Sequence, residues 1–230
     1  MRKNGAPDII LEKFRRGTLV WAGRIRAMME KNEEERFCQL VEIALTEGAK
    51  TAKIIPAKMV VVDERVRLKC EVPRCAKYNQ FLTCPPHVMG VETFSRILSL
   101  YDWCLLVQVE AENMDSTDKC VGMITESVLK ENARRHHPYQ LKLLNIIEMV
   151  EKAAFKKGMR FAAGFTGGEC VLCDRCVDNK ISDACRHPFR ARPAMEGVGI
   201  DVFQTAQNAE LPLHLSSSEQ VLWTGLVLLE

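Results

Sequence analysis

Seven of the ten cysteines in this 230-residue chain fall into two compact groups. The first group is Cys70, Cys75 and Cys84, and the second group is Cys170, Cys173, Cys176 and Cys185. Cysteine thiolates are the usual ligands of iron–sulfur clusters and are common ligands of zinc. The two groups therefore predict two metal sites, and all seven cysteines are candidate ligands.

The second group has the spacing C-x2-C-x2-C-x8-C. Three thiolates at three-residue intervals, with a fourth nearby, are typical of a loop that wraps around one [4Fe-4S] cluster. Zinc ribbons usually carry two C-x2-C pairs separated by a longer stretch, and the third cysteine here comes too early for that pattern. Disulfides need an oxidising compartment, and the first residues lead into no apolar export segment. The spacing favours [4Fe-4S], with zinc as the alternative.

The first group, C-x4-C-x8-C, supplies only three thiolates, whereas a four-iron cluster has four irons to bind. A fourth ligand could come from Cys38, Cys104, Cys120 or His87, or from the second group. Alternatively, the fourth iron binds no residue and is open to a substrate atom. A fully ligated cluster indicates an electron carrier, and an open iron indicates an enzyme or a ligand sensor.

Charged residues follow the second group closely. Arg186, Arg190 and Arg192 could stabilise an anionic cluster or hold an anionic substrate, and the alternative is a solvated basic loop. Glu196 and Asp201 could serve as acid–base groups or as ion-pair partners. No spacing assigns catalysis to any of them, so the catalytic residues are unknown at this point.

Composition excludes several functional classes. A net charge of +2 gives no electrostatic case for a nucleic-acid partner. No apolar run approaches the roughly 20 residues that span a bilayer. The sequence also has no P-loop and no H-E-x-x-H zinc motif. We expect a cytoplasmic protein with no membrane span.

The elements that must position the cysteines can be predicted from periodicity. Apolar spacing predicts a helix from Glu34 that ends at Gly48. Continuous apolar residues predict a buried strand over 103–109. Two helices are expected within 116–157, separated at Pro138, because proline lacks the amide that continues a helix. Further strands are expected at 53–55, 59–62, 66–69, 160–165 and 221–229, and a further helix at 195–206.

This alternation predicts an α/β or α+β fold, with one central mixed sheet flanked by helices and two cysteine-rich metal loops. The strand over 66–69 would lead into Cys70, and the strand over 160–165 would lead towards Cys170. We expect residues 1–33 to form an N-terminal arm of uncertain structure. Residues 34–230 would form the cysteine-rich metal-binding domain.

The cysteine motifs resemble one known family. The motifs are C-E-V-P-R-C from Cys70, C-P-P from Cys84, G-E-C-V-L-C-D-R-C ending at Cys176, and R-P-A-M-E-G-V-G-I-D-V from Arg192. Together they resemble the predicted metal-binding proteins known as domain of unknown function 2284, from about Glu34 to the C-terminus. The resemblance implies cysteine-rich iron–sulfur proteins of anaerobic bacteria and archaea, with the seven grouped cysteines at family positions. Ala194 departs from the serine expected in the last motif.

The sequence therefore leads to one main functional expectation and two alternatives. The main one is an iron–sulfur protein that binds two [4Fe-4S] clusters and works in electron transfer or redox chemistry of an anaerobic system. It would be an oxidoreductase component with a redox partner protein, and a small molecule could bind an open iron. The alternatives are a zinc-stabilised docking module, and a cluster-based sensor or maturation factor.

Overall fold

The computed structural model describes residues 31–111, 126–213 and 221–230. Internal contacts divide the chain into two units, Met1–Gln39 and Leu40–Glu230, and all seven grouped cysteines lie in the second unit. Within the described residues there are five helices and four strands. In chain order they are α1 (31–46), β1 (Thr51–Pro56), α2 (Glu64–Glu71), α3 (Val91–Leu98), β2 (Trp103–Glu110), α4 (Glu126–Lys156), β3 (Ala163–Thr166), α5 (Val202–Asn208) and β4 (Leu222–Leu229).

The four strands form one sheet in the order β1-β2-β4-β3, and every strand pair in it is antiparallel. One isolated parallel bridge joins Thr166, at the end of β3, to Ala194. The fold is therefore α+β, with a central sheet flanked by helices, as expected. The sheet was expected to be mixed, but all of its described strand pairs are antiparallel.

The two faces of the sheet pack against different layers. Cys104 and Leu106 of β2 and Leu226 of β4 belong to a buried cluster with Phe94 of α3 and Phe165 of β3, whose rings meet edge to face with centroids 5.2 Å apart. Strand residues alternate between faces, so the intervening positions of β2 and β4 point to the other side, where α4 packs. Both faces of the sheet are therefore buried, which explains the almost continuous apolar sequence of β2.

Helix α4 lies very close to the sheet at two glycines. A Cβ atom at Gly164 of β3 would lie 2.4 Å from Cγ2 of Ile147, and one at Gly225 of β4 would lie 3.0 Å from Cδ1 of the same side chain. Real Cβ atoms do not approach other atoms this closely. The two glycines let Ile147, which is fully buried, fit against the strands.

Several predicted elements are confirmed. Helix α1 ends near Gly48, whose φ of +95° suits the left-handed conformation common after helices. The strands expected at 53–55, 103–109, 160–165 and 221–229 correspond to β1, β2, β3 and β4. Cys104 is fully buried in β2.

The strand expected at 66–69 is wrong, because these residues belong to helix α2. Asp63 caps this helix by accepting a hydrogen bond from the Arg65 N–H at 2.8 Å. Arg67 and Glu71 then form an i,i+4 ion pair at 3.2 Å. The Asp63 cap and this ion pair both favour the helix over the expected strand. The strand expected at 59–62 is also wrong, since Ala57–Met59 forms a 3-10 turn and only Val62 joins a bridge.

Two helix predictions need correction. The break expected at Pro138 is absent, since α4 continues through this residue. Proline removes one hydrogen bond, and the packing of the helix on β2, β3 and β4 offsets that loss. The helix expected over 195–206 is interrupted at Gly199, whose φ is +89°. It forms a short 3-10 turn, Glu196–Val198, followed by α5.

A separate question is whether any helix could cross a membrane. In the described parts of the chain, no helix has both the length and the apolar character that this requires.

We predict that Gly164→Ala destabilises the protein by about 1–3 kcal/mol, because the new methyl group collides with Ile147 in a packed core. Gly90→Ala is the control, since nothing lies within 4 Å of its Cβ position; because Gly90 is the N-cap residue of α3, its loss should stay within about 1 kcal/mol. Thermal unfolding followed by circular dichroism measures both variants, at about 2–4 °C per kcal/mol. Equal melting temperatures for the two variants would contradict the close approach of α4.

Candidate metal centre

Cys70 lies in the last turn of helix α2, which is anchored at its start and near its middle. At its start, the Asp63 N–H donates to the Gly199 carbonyl at 2.8 Å. Near its middle, Arg67 Nη1 donates to the carbonyls of Met89 at 3.0 Å and Gly197 at 3.2 Å. These bonds hold the Cys70 side of the site against the Glu196–Val198 turn.

The loop after α2 folds back and brings Cys75 and Cys84 to Cys70. The Cys75 N–H donates to the Cys70 carbonyl at 3.0 Å, and the Asn79 N–H donates to the Pro85 carbonyl at 2.8 Å. An amide also points at a thiol, since the Lys77 N–H lies 3.5 Å from Cys75 Sγ. Hydrogen bonds of this kind stabilise a thiolate.

The three thiols of the first group line one cavity of about 200 Å³. This volume exceeds the roughly 150 Å³ of an engineered cavity that binds benzene. Other residues that line it are Lys77, Tyr78, Pro85, Gly168, Glu169, Ala194, Glu196 and Gly197. The cavity therefore has room for a polynuclear group held by three thiolates.

The pKa of the Cys84 thiol is raised to about 12, mainly by burial and also by the nearby Glu169, Cys70 and Cys75, although a hydrogen bond with Thr83 lowers it. Burial also raises the pKa of Cys70. These thiols keep their protons in the metal-free protein near neutral pH. A bound metal favours the thiolates and releases the protons, so metal binding here must be coupled to deprotonation.

Glu196 is a deeply placed carboxyl group of the same cavity. It is enclosed by protein but keeps some surface towards the cavity. Its Oε2 atom accepts a hydrogen bond from the Gly168 N–H at 3.2 Å. Burial is the main cause that raises the pKa of this carboxyl group. Glu169 also lines the cavity, but it forms an ion pair with Lys77 Nζ at 2.6 Å.

The second group lies on the long irregular segment that follows β3. Its four thiols line one small pocket of about 20 Å³, which also contacts Phe81, Leu82 and Thr83. The His187 N–H lies 3.3 Å from Cys185 Sγ and donates to it. Burial raises the pKa of Cys170, and the three other cysteines of the group add to this shift. The four thiols of the second group thus line one common pocket.

The arginines after the second group attach its loop to helix α4. Arg190 Nε donates to Glu148 at 2.9 Å, and Arg192 Nε donates to Glu151. Arg186 stays within the cysteine loop, where Nη1 donates to the Arg175 carbonyl at 2.7 Å. Arg190 and Arg192 therefore anchor the loop. Both had been expected either near a cluster or in solvent.

The two cysteine groups are neighbours, and two stretches of chain separate them. Thr83 lines the second pocket while the next residue, Cys84, lines the first cavity. Likewise, Cys170 lines the second pocket while Glu169 lines the first cavity. The Lys77–Glu169 ion pair connects the two loops. Adjacent residues thus face different sites.

Cys104 and His87, two of the other candidate ligands, lie outside the first cavity. Cys104 is in the core, where its Sγ donates to the Ile55 carbonyl at 3.7 Å. His87 does not line the cavity, and its Nε2 lies 2.7 Å from Asn79 Oδ1. Cys38 belongs to the first unit, and Cys120 falls outside the described residues. Asp201 caps helix α5 by accepting a hydrogen bond from the Gln204 N–H.

Lys77 and Glu169 line the cavity but were not predicted as residues of the site. Glu169 directly precedes Cys170 and Lys77 is two positions after Cys75, but no spacing marks either residue as facing the cavity. Glu196 was expected only as a possible acid–base group or ion-pair partner, whereas the structure places it in the lining of the cavity that contains the three thiols.

The thiols surround common pockets without converging on a single ion. Among the residues that the structure describes, no three His, Cys, Asp or Glu side chains stand close enough together to hold one metal ion. The chemistry of the donor set, seven thiols in two pockets, fits thiophilic metals, and the roomy first cavity fits more than one metal atom.

Comparison with known proteins agrees with the donor set. A protein-family model described as "Predicted metal-binding protein (DUF2284)" matches residues 53–229, more than half of the chain. This range contains both cysteine groups and the Glu196 segment. Neither the curated proteins nor the solved structures contain a significant match.

We predict that Arg192→Met destabilises the protein by about 3 kcal/mol near neutral pH, because it leaves the mostly buried Glu151 carboxylate without its cation. Burial already raises the pKa of Glu151 above its ordinary value of 4.5, so the folded state holds a proton more tightly than the unfolded state. Stability therefore falls as the pH rises through this window. Loss of Arg192 raises this pKa further and enlarges the effect.

Thermal unfolding at about pH 5 and about pH 8 measures this pH dependence. The deficit of Arg192→Met relative to the unchanged protein should be smaller at the lower pH, where Glu151 can be neutral. Arg135→Met is the control, since its ion pair with Glu131 on the same helix is exposed and worth at most about 0.5 kcal/mol. A deficit that does not vary with pH would contradict the role assigned to Glu151.

Proposed function

We propose that this chain, which belongs to the DUF2284 family of predicted metal-binding proteins, binds two neighbouring [4Fe-4S] clusters and transfers single electrons through them. Cys170, Cys173, Cys176 and Cys185 would hold one cluster, and Cys70, Cys75 and Cys84 would hold the other. The observation that carries the proposal is that two thiol-lined pockets lie on opposite sides of the Thr83–Cys84 and Glu169–Cys170 peptides.

The arrangement of the thiols supports clusters over zinc. A tetrahedral zinc site with bonds of about 2.3 Å requires its sulfurs to lie about 3.8 Å apart around one ion. In a cluster each thiolate binds a different metal atom, so the sulfurs stay farther apart. The three thiols of the first cavity, which share about 200 Å³ without converging on one ion, fit the second arrangement better.

The protein's own residues would tune the sites. A [4Fe-4S] cluster accepts and releases one electron, at a potential set by charge, hydrogen bonds and solvent exposure. The N–H groups of Lys77 and His187 donate to ligand sulfurs, and such bonds stabilise added negative charge. The Lys77–Glu169 pair keeps a cation at the first cavity. Burial of Cys84 limits access of water to that site.

The proposal includes a separate redox partner protein and an anaerobic setting. Two adjacent one-electron sites would pass electrons from such a partner to an electron acceptor. The four-thiolate site would be an electron entry point, and the three-thiolate site, with its larger cavity, would be where a small molecule binds.

Iron and acid-labile sulfide analysis of the anaerobically purified protein tests the proposal. We expect about eight irons and about eight sulfides per chain, four for each site. Stoichiometric zinc without sulfide would contradict it and would favour the zinc-stabilised docking module. Rapid cluster loss in air with no electron transfer to any dye would favour the sensor or maturation factor.

Single alanine variants assign the clusters to the two pockets. Cys173→Ala should reduce the iron content to about four per chain, and Cys84→Ala should do the same with a different remaining spectrum. Cys104→Ala is the control, because its thiol lies in the core of the sheet, and it should keep about eight irons. A loss of four irons in Cys104→Ala would show that the core cysteine is a ligand and would contradict this assignment.

A further inference from the structure

Three thiols in the first cavity leave one iron of a four-iron cluster without a cysteine. The sequence suggested several residues as the fourth ligand. Those that the structure describes in the second unit do not fill this position. Cys104 and His87 lie outside the cavity and have other partners. The four cysteines of the second group line their own pocket. Among the described residues of the second unit, the candidate ligands are therefore those that line the first cavity.

Four of these lining residues carry a polar group on the side chain: Lys77, Tyr78, Glu169 and Glu196. Lys77 is a cation in an ion pair with Glu169, so neither is available without breaking that pair. The ring of Tyr78 lies under the Arg74 guanidinium, 5.2 Å from the ring centroid. Glu196 is the remaining carboxyl group.

The backbone on both sides of Glu196 is fixed to the segments that carry the thiols. The Ala194 N–H donates to the Thr83 carbonyl at 3.0 Å, next to Cys84. A Cβ atom at Gly197 would lie 3.2 Å from Cδ of Pro85, and the Gly197 carbonyl accepts from Arg67, one turn before Cys70. Glu196 is therefore held between the chain segments of Cys70 and Cys84.

The carboxyl group itself is also oriented. The Gly168 N–H fixes Oε2, and Gly168 has a φ of +77° that an ordinary residue rarely adopts. A Cβ atom there would lie 2.7 Å from Gln140 Nε2 and 2.9 Å from the Trp223 ring. Because this glycine lets the amide face the carboxyl group, one oxygen is positioned while the group still lines the cavity.

We propose that the Glu196 carboxylate is the fourth protein ligand of the cluster held by Cys70, Cys75 and Cys84. The inference rests on the proposed function and deepens it. Carboxylate oxygen is an established iron ligand, and on binding it gives its proton to solvent. It binds a cluster iron less strongly than thiolate does. This iron is therefore the one that an incoming small molecule can reach by displacing Glu196 into the remaining cavity volume.

Controlled oxidation of the cluster-loaded full chain tests this assignment. Ferricyanide removes one electron and becomes ferrocyanide, and release of one ferrous ion then converts a four-iron cluster into a three-iron cluster. Glu196→Gln keeps an oxygen that can accept from the Gly168 N–H but removes the charged ligand. We expect Glu196→Gln to lose about one iron per chain under conditions in which the unchanged protein keeps about eight. The loss should appear as the electron paramagnetic resonance signal of an oxidised three-iron cluster.

Glu169→Gln and Tyr78→Phe are matched controls, because they alter the other oxygen-bearing residues of the same cavity. Both should keep the fourth iron as the unchanged protein does. Equal iron loss in Glu169→Gln and Glu196→Gln would show a general charge effect and would overturn the assignment. Loss of the fourth iron in Tyr78→Phe alone would overturn it as well.

Glu196→Cys gives a second test if the amide variant does not fold. It should keep all four irons of the first site and lower the reduction potential of that site alone, because thiolate donates more electron density than oxygen ligands do. An unchanged potential would overturn the assignment. The two proposals can be contradicted separately. Unchanged protein that contains no iron would contradict the proposed function. Unchanged protein with about eight irons, together with a Glu196→Gln variant that keeps its fourth iron, would contradict only the assignment of Glu196 as a ligand.

Discussion

The segment from Pro193 to Asp201 is the connection on which the first cysteine group depends. Its backbone binds the end of β3 through Thr166, the Cys84 loop through Thr83, and the start of α2 through Asp63. The cysteines themselves lie on irregular loops or at a helix end, which have little order of their own. Its fully buried Met195 and Ile200 anchor it in the core beneath the sheet.

The second cysteine loop is fixed in a different way, by charge. Arg190 and Arg192 reach the carboxylates of Glu148 and Glu151 on α4, and α4 in turn lies tightly on the sheet at Gly164 and Gly225. The sheet, the long helix and the arginines thus position one site, and the Pro193–Asp201 segment positions the other. The two supports meet at the glycines after β3, where Gly167 donates to the Thr224 carbonyl and Gly168 donates to Glu196. This shared support explains why the two sites are neighbours.

The sequence predicts part of this arrangement for clear physical reasons. The seven thiols could be predicted from their spacing, because metal ligands on one loop lie close in sequence. The continuous apolar run predicted β2 and the apolar periodicity predicted α1, because buried elements need apolar side chains. The helix that contains Cys70 begins at the capping residue Asp63, whereas a strand was expected over 66–69. The interruption at Gly199 and the continuous helix through Pro138 depend on tertiary contacts. Glu196 could not be assigned to the first cavity because its neighbours, Gly168, Thr83 and Pro85, are far from it in sequence.

The central claim is that two iron–sulfur clusters lie side by side in two thiol-lined pockets. Diffraction from crystals grown without oxygen, recorded on both sides of the iron absorption edge, tests it most directly. The account predicts two anomalous peaks of four-iron size, one beside Cys70, Cys75 and Cys84 and one beside Cys170, Cys173, Cys176 and Cys185, with the Thr83–Cys84 peptide between them. Peaks that appear only at the zinc edge, or iron at a single pocket, would contradict the account.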